Sequence, residues 1–215
     1  NFMAGSVLGP IAVGFLLDST DVGFSYLVMA LVYLVGVGTL IPVSVIQSPA
    51  LNKGSLSLSD LRAVVSYLLS HPPLPTALII VILANIFIIS YQPLISSIGT
   101  NELGLSTSLA GFLVSSVYLG GMIGGFLVFI NKNIQYHARY MLLSILLMGI
   151  GGIGLGIFSS FIPIAGFLLV GGIGIGIWGG TEFAFFIVSS PAHMAGRILG
   201  ILLFTISSWP IGIFL

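Results

Sequence analysis

Apolar residues run along this chain in long blocks rather than in alternating stripes. Seven stretches, 2–17, 24–45, 74–98, 109–130, 140–161, 163–189 and 198–215, carry almost no charged side chain. A helix needs about 20 apolar residues to cross the hydrocarbon core of a bilayer, and all but the two outermost stretches reach that length. Lipid supplies no partner for backbone N–H and C=O groups, so runs of this kind are expected to be helical. A transmembrane β-barrel would instead alternate polar and apolar residues over segments of about ten. The predicted fold class is therefore all-α, a polytopic transmembrane helical bundle of about seven spans.

The polar positions between the blocks predict its orientation. Lys53 and Arg62 fall between the second and third spans, Lys132 and Arg139 between the fourth and fifth, and Arg197 between the sixth and seventh. All five basic residues thus share one side, whereas Asp18, Asp21 and Glu102 occupy the other. Basic connections stay on the cytoplasmic side, which puts the start of the chain inside and predicts a multi-pass protein of the cell (inner or plasma) membrane. In the longest connection, Ser57 and Ser59 offer helix N-caps. Leu61, Val64, Val65, Leu68 and Leu69 follow at spacings of an amphipathic helix, lying on the inner membrane surface or under the bundle. Pro72, Pro73 and Pro75 are expected to end it.

Composition sharpens this picture. Only 5% of the 215 residues are charged, against roughly a quarter in a soluble domain, so lipid is the solvent. A net charge of zero gives nucleic acid no electrostatic footprint, and the lack of cysteine excludes disulfides and thiolate sites. The chain starts at Asn1 inside one apolar run and stops at Leu215 inside another, which predicts a piece of a longer protein. Glycine is concentrated inside the spans, and several pairs stand four apart: Gly5/Gly9, Gly120/Gly124, Gly121/Gly125, Gly152/Gly156, Gly172/Gly176 and Gly176/Gly180. This spacing lets helix backbones approach closely where lipid gives no hydrophobic drive for association.

Candidate chemistry is sparse. His71, His137 and His193 lie in or beside connections, with no second ligand at metal spacing, so neither a metal nor a cofactor is expected. No span holds an aspartate dyad and no G-x-S-x-G elbow occurs, which argues against an intramembrane enzyme. One ionisable residue does lie at hydrocarbon depth: Glu182, roughly 9 Å from the centre of the sixth span at ~1.5 Å per residue. A carboxylate there is costly and is expected to face the bundle interior; it is the candidate for exchanging protons, with a structural hydrogen-bonding role as the alternative. Asn85 and Gln92 share a face of the third span, flanked by Ser90 and Tyr91, with a kink expected at Pro93. Ser115 and Tyr118 are three apart on the fourth. These residues are candidates for lining a polar pathway, with interhelical hydrogen bonding as the alternative.

The order of these features resembles the major facilitator superfamily, read from its fifth helix into its eleventh. Gly5, Gly9, Pro10 and Gly14 are similar to the fifth-helix signature of the antiporter branches, although Val13 stands where a glycine is usual. The long connection with its amphipathic helix resembles the linker between the family's two six-helix halves. Gly120, Gly121, Gly124 and Gly125 before Lys132 and Arg139 look like a reduced copy of its loop motif, without the expected aspartate. Pro191, Gly196, Arg197 and Gly200 are similar to the entry to the eleventh helix in efflux-type members. The resemblance implies that 1–45 are the last two helices of an N-terminal bundle, 46–73 a cytoplasmic linker, and 74–215 five spans of a C-terminal bundle, about seven of an expected twelve helices.

It further implies alternating access, two bundles rocking about a midplane site. Gly5, Gly9, Pro10 and Gly14 would form the bend and seal between the halves, and Gly196 and Arg197 would sit at the inner gate. The expected function is secondary active transport: proton-coupled export of a small hydrophobic or amphipathic molecule, the partners being that substrate, protons and the bilayer. An importer with the same fold is the alternative. A seven-helix receptor is disfavoured, because such receptors start outside and this chain starts inside.

Overall fold

The computed structural model describes residues 2–40, 58–131 and 137–213. They form nine α-helices: α1 (Phe2–Ser19), α2 (Val22–Leu40), α3 (Leu58–Ser70), α4 (Leu74–Phe87), α5 (Leu94–Ser97), α6 (Thr107–Ile130), α7 (His137–Ile157), α8 (Phe161–Val188) and α9 (Ala195–Ile206). No strand occurs among the described residues. Six helical stretches are long and apolar enough to span a bilayer, and α1 is a shorter apolar helix beside them. The outside of the bundle is greasy: Phe129, Ile162 and Phe204 are about four-fifths exposed, and α2 presents apolar side chains almost all round. In water such patches would aggregate; against acyl chains they cost nothing.

The centre of the bundle is α8, which packs along α6 on one side and α7 on the other, while α6 also packs along α1. Glycine makes this possible. A Cβ at Gly172 would come within 2.8 Å of the Val117 backbone, and one at Gly176 within 2.6 Å of the Gly125 nitrogen. Reciprocally, Gly120 and Gly124 of α6 abut the backbone of Ile173 in α8. On the opposite face, Gly151 of α7 would meet the Gly171 Cα at 2.6 Å, and Gly174 the Ser144 carbonyl at 2.6 Å. The Gly120/Gly124 and Gly172/Gly176 pairs therefore form one seam. Gly5, Gly9, Gly125 and Gly156 face open space instead: the spacing identified both sets, but only three-dimensional neighbours separate them.

The third span is not one kinked helix. It breaks after α4 into a 3-10 turn at Ile89–Tyr91, a short α5, and a π-helical turn at Ile98–Glu102. Pro93 has no N–H for the Ile89 carbonyl four residues back; the Gln92 N–H takes that carbonyl at 3.1 Å and tightens the turn. The break thus precedes the proline. In the seventh span, α9 stops at Ile206 and a 3-10 stretch follows at Trp209–Ile213, around Pro210.

The amphipathic helix is present as α3, and Ser59 lies within it rather than capping it; Ser57, like Lys53 and Lys132, lies outside the described residues. Its apolar stripe is divided. Val64 and Leu68 are fully buried in a cluster with Leu74, Ile198 and Leu202, whereas Leu61, Val65 and Leu69 are exposed, a row of the kind that lies against a bilayer surface. Leu68→Ala is expected to cost α3 about 2–5 kcal/mol of its docking. Hydrogen exchange would read this as faster exchange of α3 amides with α8 unchanged.

Candidate functional site

The break in the third span opens a cavity. With its helix interrupted, the chain turns the Gln92 amide and the Ser96 hydroxyl, four residues apart, toward α6, which supplies Val114, Val117 and Tyr118 at i, i+3 and i+4. Ile89, Pro93 and Ile95 complete a cavity of about 470 Å³. Its walls are apolar with three neutral polar groups and no charged side chain, a lining that suits an uncharged amphipathic molecule. Of the pathway candidates, Gln92 and Tyr118 line this space. Ser96 was not among them, although its position one turn beyond Gln92 carried the signal.

The other candidates are placed elsewhere. Asn85 is buried in α4, where its amide donates back to the Val81 carbonyl at 2.9 Å, leaving Oδ1 without a protein partner. Tyr91 points away from the cavity into the α7–α8 junction: a Cβ at Gly171 would lie 3.2 Å from its hydroxyl, and one at Gly152 3.9 Å from its ring. Two small residues make room for one aromatic wedge. Ser115 joins helices, its hydroxyl donating to the Val7 carbonyl of α1 at 2.6 Å.

Glu182 lies on α8, 2% exposed. It faces inward, as the cost of a lipid-facing carboxylate requires. One of its oxygens, Oε1, makes no hydrogen bond of ordinary geometry in the protein, and neither does Nε1 of Trp178 one helical turn earlier, although that indole lies close enough to act on the carboxyl as a donor. The adjacent Thr181 cannot help, because its hydroxyl is already given to the Ile177 carbonyl at 2.8 Å. A buried acceptor left open at spanning depth is a place where a proton can be held. No group of acidic, histidine or cysteine side chains able to hold a metal occurs among the described residues.

A second arrangement joins α1 to α6, which run antiparallel. Val7 meets Ser115, Pro10 lies against Gly111 (whose Cβ would come within 3.0 Å of the Pro10 carbonyl carbon), and Gly14 lies against the Thr107–Ser108 backbone. Thus Pro10 and Gly14 of the fifth-helix-like signature sit in a close seam, while Gly5 and Gly9 have open space beside them. At the end of the seam, Asp18 of α1 accepts from the backbone N–H groups of Thr107 at 3.1 Å and Ser108 at 2.9 Å, and from the Ser108 hydroxyl. Ser106 caps the same helix from its own chain end, accepting from the Leu109 N–H. Between them, the orphan donors of the first turn of α6 are satisfied. The Ser108 hydroxyl and N–H hold the Asp18 carboxyl below its ordinary value of 3.8 against a weaker opposing effect of burial, with a smaller contribution from Thr107. Asp18 was legible in the sequence only as a loop charge; its partners are about ninety residues away.

Gly196 and Arg197 both lie in the first turn of α9, next to α4, α3 and α8 in the packing. The opposite rim of the bundle from Asp18 therefore carries Arg62, Arg139 and Arg197, and there the Tyr67 hydroxyl of α3 reaches the Ser189 carbonyl at 3.5 Å.

No curated protein and no solved structure matches the chain. The sequence model of the Major Facilitator Superfamily, however, matches residues 2–214, which is almost all of it. An all-helical bundle with six helices among the described residues long and apolar enough to span a bilayer, glycine seams and a broken helix beside a half-open cavity accords with that match, and the chain belongs to the major facilitator superfamily.

Proposed function

We propose that this chain carries part of a proton-coupled exporter of the efflux type, and that its substrate is a small, uncharged, amphipathic molecule. Membership of the superfamily makes it a secondary transporter with a small-molecule substrate. The observation that carries the finer reading is Glu182, a carboxyl buried at spanning depth with one oxygen unpartnered. The cavity beside Gln92, Ser96 and Tyr118 supports the substrate class, since it offers neutral hydrogen-bonding groups on apolar walls. In this reading α1 and α2 close the N-terminal half, and α4 to α9 belong to the C-terminal half. The basic rim is cytoplasmic and the membrane is the plasma membrane. Transport proceeds by rocking of the halves about the cavity, with Glu182 taking up a proton in one orientation and releasing it in the other.

The test is uphill flux. Everted vesicles carrying the full-length protein, acidified inside, should accumulate a neutral amphipathic fluorophore, and an uncoupler should abolish the accumulation. Absence of gradient-dependent flux rejects the proton coupling, and flux in the opposite sense makes the protein an importer. Gln92→Leu removes one substrate-facing hydrogen-bonding group worth about 1 kcal/mol. It is expected to raise KM about fivefold with little change in maximal rate, read from concentration dependence in the same vesicles.

A further inference from the structure

The seam between α1 and α6 ends in a feature that the transport reading does not use. Three donors from α6 converge on one carboxylate of α1, across the contact where the two halves meet. Every polar partner the structure gives Asp18 is a neutral group of α6, and no basic residue falls in the connections on this rim. The titratable groups nearby are few. Asp21 is occupied in accepting from the Phe24 N–H at 2.8 Å, Glu102 ends the π-helical turn, and α6 itself contributes no acidic, basic or histidine side chain. The carboxylate also stands at the positive end of the α6 dipole, where a negative charge is favoured.

We infer that Asp18 is a latch that holds the outer end of the α1–α6 seam closed, a positioning residue for the inward-facing state. The inference rests on the two-half reading given above. Opening the outer face requires α1 to part from α6, and the Asp18 bonds are the polar contacts at the mouth that must break first; behind them lie the Gly14 and Pro10 backbone contacts and the Ser115 bond. Because its α6 donors favour the charged form, the latch stays engaged across pH 5–8 and is lost only as pH falls below the ordinary carboxyl range. It is therefore insensitive to the protons that drive transport, which leaves that task to a group inside the bundle.

The chain has no cysteine, so once any cysteine elsewhere in the full-length protein is replaced, a single Ser115→Cys reports on the seam. The full-length protein in right-side-out vesicles would be treated with a membrane-impermeant maleimide from outside. Asp18→Asn is expected to raise the labelling rate about fivefold, the scale on which a helix cap acts. Asp18→Glu should restore protection, and Ser115→Cys with Asp18 intact should label at a constant small fraction of the rate of an exposed reference cysteine from pH 5 to 8, the reference correcting for the thiolate fraction, which rises with pH. Ser108→Ala, which removes one donor and leaves the backbone donors, should give a smaller increase and serves if Asp18→Asn does not yield a monodisperse protein. Unchanged labelling in Asp18→Asn, or in Ser108→Ala where it alone folds, overturns the latch; so does equal labelling in Asp18→Asn and Asp18→Glu. The readout needs no substrate. Opening of the seam in a protein that shows no proton-driven flux would uphold the latch and reject the exporter, and the converse result would reject the latch alone.

Discussion

Glu182→Gln is expected to abolish uphill transport while leaving downhill flux of the same substrate. The side chain is 2% exposed, and its Oε1 has no partner. Glutamine keeps the volume and a hydrogen-bonding end but has no proton to exchange. With coupling intact, a gradient of one pH unit can sustain up to about tenfold accumulation for each proton exchanged, since one unit corresponds to about 1.4 kcal/mol. In the variant that ratio falls to one. Everted vesicles with an imposed gradient measure accumulation, and the same vesicles preloaded with fluorophore measure downhill efflux. The second measurement separates uncoupling from misfolding, because a collapsed bundle loses both. Undiminished accumulation in Glu182→Gln would remove this carboxyl from the coupling and leave it a structural group of α8.

The second large effect concerns the glycine seams. Gly172→Ala and Gly176→Ala each place a methyl group where the Val117 backbone and the Gly125 nitrogen lie at 2.8 and 2.6 Å. Backbone cannot rotate aside as a side chain can, so α6 and α8 must separate. Overpacking of this kind costs about 1–3 kcal/mol, which is about 2–4 °C of melting temperature per kcal/mol for a chain of this size. Gly172→Leu should prevent assembly of the bundle. Gly166→Ala and Gly149→Ala are the controls: nothing lies within 4 Å of either position, and alanine is the better helix former by up to about 1 kcal/mol. They should melt at or slightly above the parent temperature. Thermal unfolding in detergent followed by size exclusion gives all four values, and equal losses at seam and control positions would show that glycine acts here through flexibility rather than close approach.

The two seams have different consequences for a transporter. The α6–α8 and α7–α8 contacts are backbone against backbone along much of each helix, and they hold these three helices together as one unit. The α1–α6 seam is also close but is closed by hydrogen bonds of Ser115, within the seam, and of Asp18, the latter at the rim, where water can replace them. On the two-half reading proposed above, rigid packing within a half and breakable polar contacts between halves is the division that rocking motion needs.

Much of this was legible from residue order. Block hydrophobicity determined the spans, because a helix in lipid must be apolar along its whole length, and the order of the spans implied the antiparallel pairing of α1 and α6 seen in the fold. Glu182 stood out because charge is rare at that depth. Tertiary structure decided what periodicity could not. Four-residue glycine spacing is a property of one helix, whereas a seam needs a second helix opposite, so Gly172 and Gly176 pack while Gly5 and Gly9 do not. Asn85 and Gln92 read as one face of a helix kinked at Pro93, with Tyr91 flanking them; the backbone broken before Pro93 sent Gln92 to the cavity and Tyr91 into the glycine-lined α7–α8 junction, and left Asn85 buried in α4. Asp18 looked like a solvated loop charge, and became a helix cap only when the fold brought the start of α6 beside it.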